Sequence, residues 1–200
     1  MKQTALRRFV LSFLRKTTGW PAAPMTNAQK HEVMRSYARR HPKAAFVESG
    51  TFRGDTVAAM RPHFDQLISI ELFEELFIAA KKRFEADDAI TIIKGDSGKL
   101  LPEILRGISV PTVYWLDGHF SGEGTALASD TQCPILDELE AIALHGNRDD
   151  IMLIDDARLF GWRSGYPKKS TVSSLVKSRF PHHKMEIIQD IIAILPQDQS

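Results

Sequence analysis

Residues Phe46-Val47-Glu48-Ser49-Gly50-Thr51-Phe52-Arg53-Gly54-Asp55-Thr56 decide how this chain folds. A short apolar run beginning at Ala44 ends in a carboxylate, meets a turn with two glycines, and passes straight into helix-forming sequence. That order is the strand, turn and helix of a nucleotide-type crossover. Gly50 and Gly54 can take positive φ and let a ligand approach the backbone. Asp55 or Thr56 can cap the helix, whose first N–H groups then face the ligand. Glu48 ends its strand where open α/β sheets bind ligands. The spacing is Glu-x-Gly-x-x-x-Gly, with Phe52 where a dinucleotide site often has its middle glycine. A carboxylate just before the turn repels phosphate and suits a cationic or hydroxyl-bearing ligand. A tight turn that binds nothing is the competing explanation.

Outward from this turn, apolar runs alternate with helical periodicity. Strands are predicted at Ala44–Glu48, Leu67–Glu71, Ile90–Lys94, Thr112–Asp117 and Ile151–Asp155. Helices are predicted from Thr26 or Asn27 to about Arg40, at Asp55–Pro62, Glu74–Phe84, around Lys99–Leu105, at Pro134–Leu144 and at Lys169–Arg179. Lys184–Ile188 and Ile191–Leu195 flank Gln189-Asp190 and read as a terminal hairpin. Alternating strands and helices imply a mostly parallel sheet covered on both faces, with the hairpin reversing the last strand. The fold class is therefore α/β, Rossmann-like, with a seven-stranded sheet.

Composition narrows the function classes. Two hundred residues suit one domain with a full core. Lys plus Arg number 26 against 25 Asp plus Glu, a balance that does not call for nucleic acid. The single cysteine, Cys133, excludes an internal disulfide and a cysteine-rich zinc site, and fits a reducing, cytoplasmic setting. No apolar run is long enough to span a bilayer. Residues 1–25 form a basic arm in which Leu6, Phe9, Val10, Phe13 and Leu14 recur at helical spacing opposite Arg7, Arg8, Arg15 and Lys16. Such a segment either packs on the domain, stays solvated, makes peripheral contact with a membrane surface, or serves as a targeting helix. The breaker Gly19-Trp20-Pro21-Ala22-Ala23-Pro24 separates it from the domain at 26–200.

The glycine turn resembles motif I of the class I S-adenosylmethionine-dependent methyltransferases. That resemblance implies a cofactor bound along successive strand ends by Glu48, Gly50, Thr51 and Gly54 of the turn, then Glu71, Asp96, Ser97 and Asp117. Glu71, about twenty residues past the turn, can accept both ribose hydroxyls. Asp96 can accept the adenine amino group, or simply cap the next helix. Ser97 can lend a hydroxyl or a backbone contact.

Asp117, Asp155 and Asp156 end neighbouring strands about 5 Å apart. Clustered carboxylates must be protonated, paired with bases or neutralised by a cation, and an all-oxygen set favours Mg²⁺. Asp117-Gly118-His119 with Ser121, and the later Ile154-Asp155-Asp156, resemble the metal motifs of the macrocin and sugar O-methyltransferase group. The likeness to catechol O-methyltransferase is more distant. It implies Asp117, Asp155 and Asp156 as ligands, and Mg²⁺-assisted O-methylation of a small sugar-like or aryl acceptor. This chain has His119 where the sugar enzymes carry a second aspartate, and Phe120 where the catechol enzyme carries lysine. His119 is thus the candidate base beside Asp117, with metal ligation or a plain loop role as alternatives. The Ser121–Asp130 loop is a candidate lid. Arg158, Trp162, Arg163 and Tyr166 are candidates for an acceptor pocket, Arg163 more readily for the surface. His182-His183 is expected to be exposed. Two other functions stand beside this one: metal-independent O- or N-methylation, and a non-catalytic cofactor-binding accessory module.

Overall fold

A computed structural model describes residues 23–41, 44–118, 133–145 and 147–197. The elements in chain order are α1 (Asn27–Ala38), β1 (Ala45–Ser49), α2 (Asp55–Met60), β2 (Leu67–Glu71), α3 (Glu74–Arg83), β3 (Ile90–Lys94), α4 (Ser97–Ile104), β4 (Thr112–Leu116), α5 (Ile135–His145), β5 (Ile151–Ile154), α6 (Lys169–Arg179), β6 (His183–Ile188) and β7 (Ile191–Pro196). Short 3₁₀ turns follow α2, α4 and β5. The alternation expected from the sequence is present, with element ends shifted by a few residues at most. Residues 1–22 of the basic arm, His119, the Ser121–Asp130 loop and the tail 198–200 lie outside the described residues.

The seven strands are ordered β3-β2-β1-β4-β5-β7-β6. Strands β1 to β5 run parallel, and β7 inserts antiparallel between β5 and β6. The strand order reverses between β1 and β4, which opens a crevice at their carboxyl ends. Ser49 pairs with Leu116 and Leu116 with Ile154, so Gly50, Asp117 and Asp155 occupy the next row of the ladder.

Alternate residues of each strand face opposite layers. Val47, Ile70, Leu116, Met152 and Ile194 meet Leu101 of α4, Leu139 and Ile142 of α5, and Val172 and Val176 of α6. Phe46, Leu67, Trp115, Leu153 and Ala193 meet Met34 and Tyr37 of α1 and Val57 and Met60 of α2, with Met25 in the same cluster. Burial on both faces explains why the central strands are continuous apolar runs rather than alternating ones. The α1 start is fixed by a capping box: Thr26 Oγ1 accepts from Gln29 N at 3.3 Å, and Gln29 Oε1 accepts from Thr26 N at 2.9 Å. Among the described residues no helix is long and apolar enough to cross a membrane.

The end of the chain corrects one expectation. His182 is exposed, but His183 is buried, and its Nε2 lies 2.9 Å from the Asp150 carbonyl oxygen. Burial lowers the His183 pKa, so the neutral ring donates its Nε2–H to that carbonyl. Its place at the start of β6 puts it on the inner side of the pleat, which the His-His pair does not reveal.

Candidate active site at the carboxyl edge of the sheet

The glycine turn is built by β1 and closed by β2. Gly50 N donates to Ile70 O at 2.9 Å and Gly54 N to Thr51 O at 2.8 Å. Gly50, Phe52 and Gly54 all have positive φ, at 87°, 50° and 76°. Phe52 therefore adopts the left-handed conformation that its position demands, at the cost a side chain pays there. Its backbone N–H is held by Glu71 Oε2 at 2.8 Å, and its ring is exposed. A Cβ on Gly54 would stand 2.6 Å from the Phe84 ring. Gly54 is itself the N-cap residue of α2, and Asp55 instead pairs with Arg83 at 2.8 Å. The expected Asp55 or Thr56 cap is thus replaced by glycine, because the turn packs against α3 at that point.

Glu71 ends β2 with both carboxylate oxygens oriented by backbone. Oε1 accepts from Phe73 N and Oε2 from Phe52 N, each at 2.8 Å. Each oxygen keeps a further lone pair, so the group can still accept hydroxyls. Asp96 caps α4, its Oδ1 accepting from Gly98 N at 3.1 Å, and Lys99 Nζ lies 3.4 Å from Oδ2.

Three of the side chains expected at the cofactor, Glu48, Thr51 and Ser97, are buried and bonded within the fold. Glu48 is only 1% exposed, its Oε2 accepting from Ser69 Oγ at 2.5 Å. Ser69 Oγ also lies 2.6 Å from Thr51 Oγ1. Glu48, Ser69 and Thr51 thus form a buried, mutually hydrogen-bonded polar column beneath the turn. Burial pushes the Glu48 carboxyl up to about 8; bonds from Ser69 and Thr56 oppose this, and Glu71 adds to it. Ser97 likewise turns into the core and donates to Glu138 Oε1 at 2.5 Å. In each case a small or polar side chain serves the packing of the edge, since a buried polar atom needs a partner.

Gly50 and Gly118 sit at a close approach of the chain segments leaving β1 and β4. A Cβ on Gly50 would stand 2.7 Å from the Asp117 carbonyl oxygen, and one on Gly118 3.0 Å from Ser49 Oγ. Asp117 N donates to Ser49 O, and Asp155 N to Leu116 O, each at 3.1 Å. Asp117, Asp155 and Asp156 therefore do share one edge, as expected.

What neutralises them was not expected. Lys30 of α1 forms an ion pair and hydrogen bond with Asp155 Oδ2, 125 residues away in sequence. Arg158 pairs with Asp156 Oδ1 at 2.5 Å and with Asp190 Oδ2. Arg158 N also donates to Asp190 Oδ1 at 2.8 Å. Arg158 thus clamps the β6–β7 hairpin tip onto the β5 edge. Burial works against the Lys30 ammonium, yet Asp155, with Asp117 and Asp156 behind it, keeps its pKa above the ordinary value. Burial and the neighbouring Asp156 lift Asp155 despite Lys30. Asp155 Oδ1 is buried and accepts no hydrogen bond among the described residues. Two of the three carboxylates expected to bind Mg²⁺ are thus held by a lysine and an arginine. Among the described residues no group of three or more His, Cys, Asp or Glu side chains is arranged to hold a metal ion. Among the described residues the donor set does not fit Mg²⁺, which demands an octahedron of oxygens at close range.

Of the remaining candidates, Trp162 and Arg163 are exposed beyond β5. Tyr166 is buried edge-on against Phe160, with centroids 5.4 Å apart. Sequence reasoning missed Lys30, Glu138, Ser69 and the clamping role of Asp190. Only Ser69, inside the β2 run, carries a local signal: a polar residue in an apolar strand.

No protein-family model matches the chain. No curated protein matches it either. Solved structures do. The chain resembles the O-methyltransferase of Bacillus cereus in complex with S-adenosylhomocysteine (TM-score 0.61, 14% identity, covering 94% of this chain and 89% of that one). It also resembles the O-methyltransferase TomG of Streptomyces achromogenes, involved in tomaymycin synthesis and solved with S-adenosylmethionine (0.57, 14%, 86% and 82%). A third is the N-methyltransferase NodS of Bradyrhizobium japonicum (0.54, 10%, 85% and 96%). The fold is that of the Rossmann-like methyltransferases.

Proposed function

We propose that the chain is an S-adenosylmethionine-dependent methyltransferase acting on an oxygen of a small hydroxylated acceptor. The observation that carries this is Glu71, fixed by two backbone N–H groups beside the positive-φ turn of Gly50, Phe52 and Gly54. A carboxylate locked next to an open-backbone turn at a topological switch suits a ribose with two hydroxyls. Solved relatives in fold that carry the methyl donor or its product support the same ligand.

S-adenosylmethionine, when bound, supplies a methyl group on a positively charged sulfur. Glu71 would hold its ribose, Asp96 its adenine amino group, and the Gly50–Gly54 backbone its remaining length. Glu48 acts from below by holding Ser69 and Thr51 under the turn. Asp117 leaves β4 beside Gly50, so an acceptor bound over the β4 and β5 ends lies next to that turn. The acceptor oxygen must lose its proton as the methyl arrives, and His119, two residues past Asp117, is the base in this reading. Trp162 offers an exposed ring face to a sugar or aryl acceptor. Magnesium is set aside, because Lys30 and Arg158 already hold Asp155 and Asp156.

Calorimetry with S-adenosylhomocysteine tests the cofactor, and labelled methyl transfer to a panel of sugars and catechols tests the chemistry. Saturable binding and an O-methylated product are expected. Tight binding of NAD with none of S-adenosylhomocysteine would overturn the assignment. Binding without turnover on any acceptor would favour an accessory module.

A further inference from the structure

We propose that Lys30 is the resident cation of the β4/β5 edge, filling the place its carboxylates would otherwise offer a divalent metal ion. The inference deepens the methyltransferase reading, since that edge is its acceptor side, but the pairing stands on geometry alone.

Lys30 comes from α1, outside the crossover units. Its backbone is fixed where the helix begins, with Lys30 N donating to Thr26 O at 3.0 Å inside the capping box. Met34, Tyr37 and Ala38 bury the next turns of α1 against the sheet, which seats the helix there. The side chain is 17% exposed and ends on Asp155, which is 1% exposed. A buried carboxylate pairs tightly only when its partner is well placed and desolvated with it. The ammonium takes Oδ2, and Oδ1 stays buried without a donor among the described residues. A magnesium ion at that carboxylate would meet a positive charge within bonding range of the same oxygen. With Arg158 on Asp156, the edge carries two fixed positive charges in place of one divalent ion. The consequence is a transferase edge that needs no added metal, where Lys30 holds Asp155 in position.

Thermal unfolding of the full chain in MgCl₂ or MnCl₂, against KCl of equal ionic strength, tests this without any turnover. Wild type should show no cation-specific rise in Tm. Lys30→Ala frees Asp155 and should gain one, about 3–6 °C at a cation concentration ten times its Kd. Lys30→Arg keeps the charge and should remain insensitive, and adding Asp155→Asn to Lys30→Ala should erase the gain. A cation-specific rise in wild type overturns the proposal, and that measurement needs no variant to fold. A folded Lys30→Ala chain that stays insensitive also overturns it, because the edge would then be no cation site. Calorimetry with S-adenosylhomocysteine on the same samples reports the cofactor separately, so failure of either idea is distinguishable from failure of the other.

Discussion

The carboxylate of Glu71 accepts a hydrogen bond from the backbone N–H of Phe52 at 2.8 Å, tying the end of β2 to the middle of the glycine turn. The residue proposed to bind ribose also holds a non-glycine residue in a left-handed conformation. Glu71→Ala should therefore do two things. It should weaken S-adenosylhomocysteine by roughly 1–3 kcal/mol through lost bonds to an ionised acceptor, and it should loosen the turn. Calorimetry reads the first, and amide exchange at Phe52 the second. Unchanged affinity would remove Glu71 from the ribose role.

Gly50 is constrained twice. Its φ of 87° disfavours any side chain, and an added Cβ would stand 2.7 Å from the backbone oxygen of Asp117. Backbone oxygen cannot swing aside as a side-chain tip can. Gly50→Ala should destabilise the fold by about 2–4 kcal/mol and part β1 from β4. Chemical denaturation measures the loss; wild-type stability in that variant would refute the close approach.

Glu48 gives the chain a pH dependence of definite sign. Its pKa is raised by burial to about 8 from an ordinary 4.5, so the folded state holds a proton the unfolded state releases. Stability therefore falls as pH rises from about 4.5 to about 8. Glu48→Gln, which cannot ionise, should lack that slope and overtake wild type by a few kcal/mol, on the order of the linkage limit, toward pH 8. Parallel stability curves for the two proteins between pH 5 and 8 would show that Glu48 is already ionised in the fold.

Arg158 bridges Asp156 and the 1%-exposed Asp190. Arg158→Met removes the cation that these two carboxylates share. The loss should be about 3–5 kcal/mol near neutral pH. Arg158→Lys, which keeps the charge, should recover part of it. Urea titrations of the two variants separate lost charge from lost packing, and an equal loss in both would refute the charge role.

His119 is expected to act as the base. His119→Ala should lower turnover on a verified acceptor about 10²–10⁴-fold with cofactor affinity nearly unchanged. His119→Asp should recover part of that. Activity should fall as pH drops below the imidazole pKa, because the base must be neutral. Wild-type turnover by the alanine variant would send the search for a base elsewhere.

The sequence by itself determined the strand succession, the turn and the hairpin. The Leu67–Glu71 and Ile90–Lys94 strands and the Lys169–Arg179 helix begin and end where periodicity places them. Their burial pattern and flanking breakers are local, so a few residues suffice to fix each. The glycine turn was legible for the same reason, as was the meeting of Asp117 with Asp155 and Asp156, because neighbouring parallel strands end at one edge. Which charges those carboxylates face was decided only by tertiary structure. Lys30 lies 125 residues from Asp155, and Asp190 lies 32 from Arg158. Each pair forms because a helix or a hairpin packs at one particular place on the sheet, and no spacing along the chain encodes that. The same holds for Thr51, Glu48 and Ser97. Their residue types suggest ligand contacts, but the direction in which each side chain turns depends on the partner, Ser69 or Glu138, that the fold brings beside it.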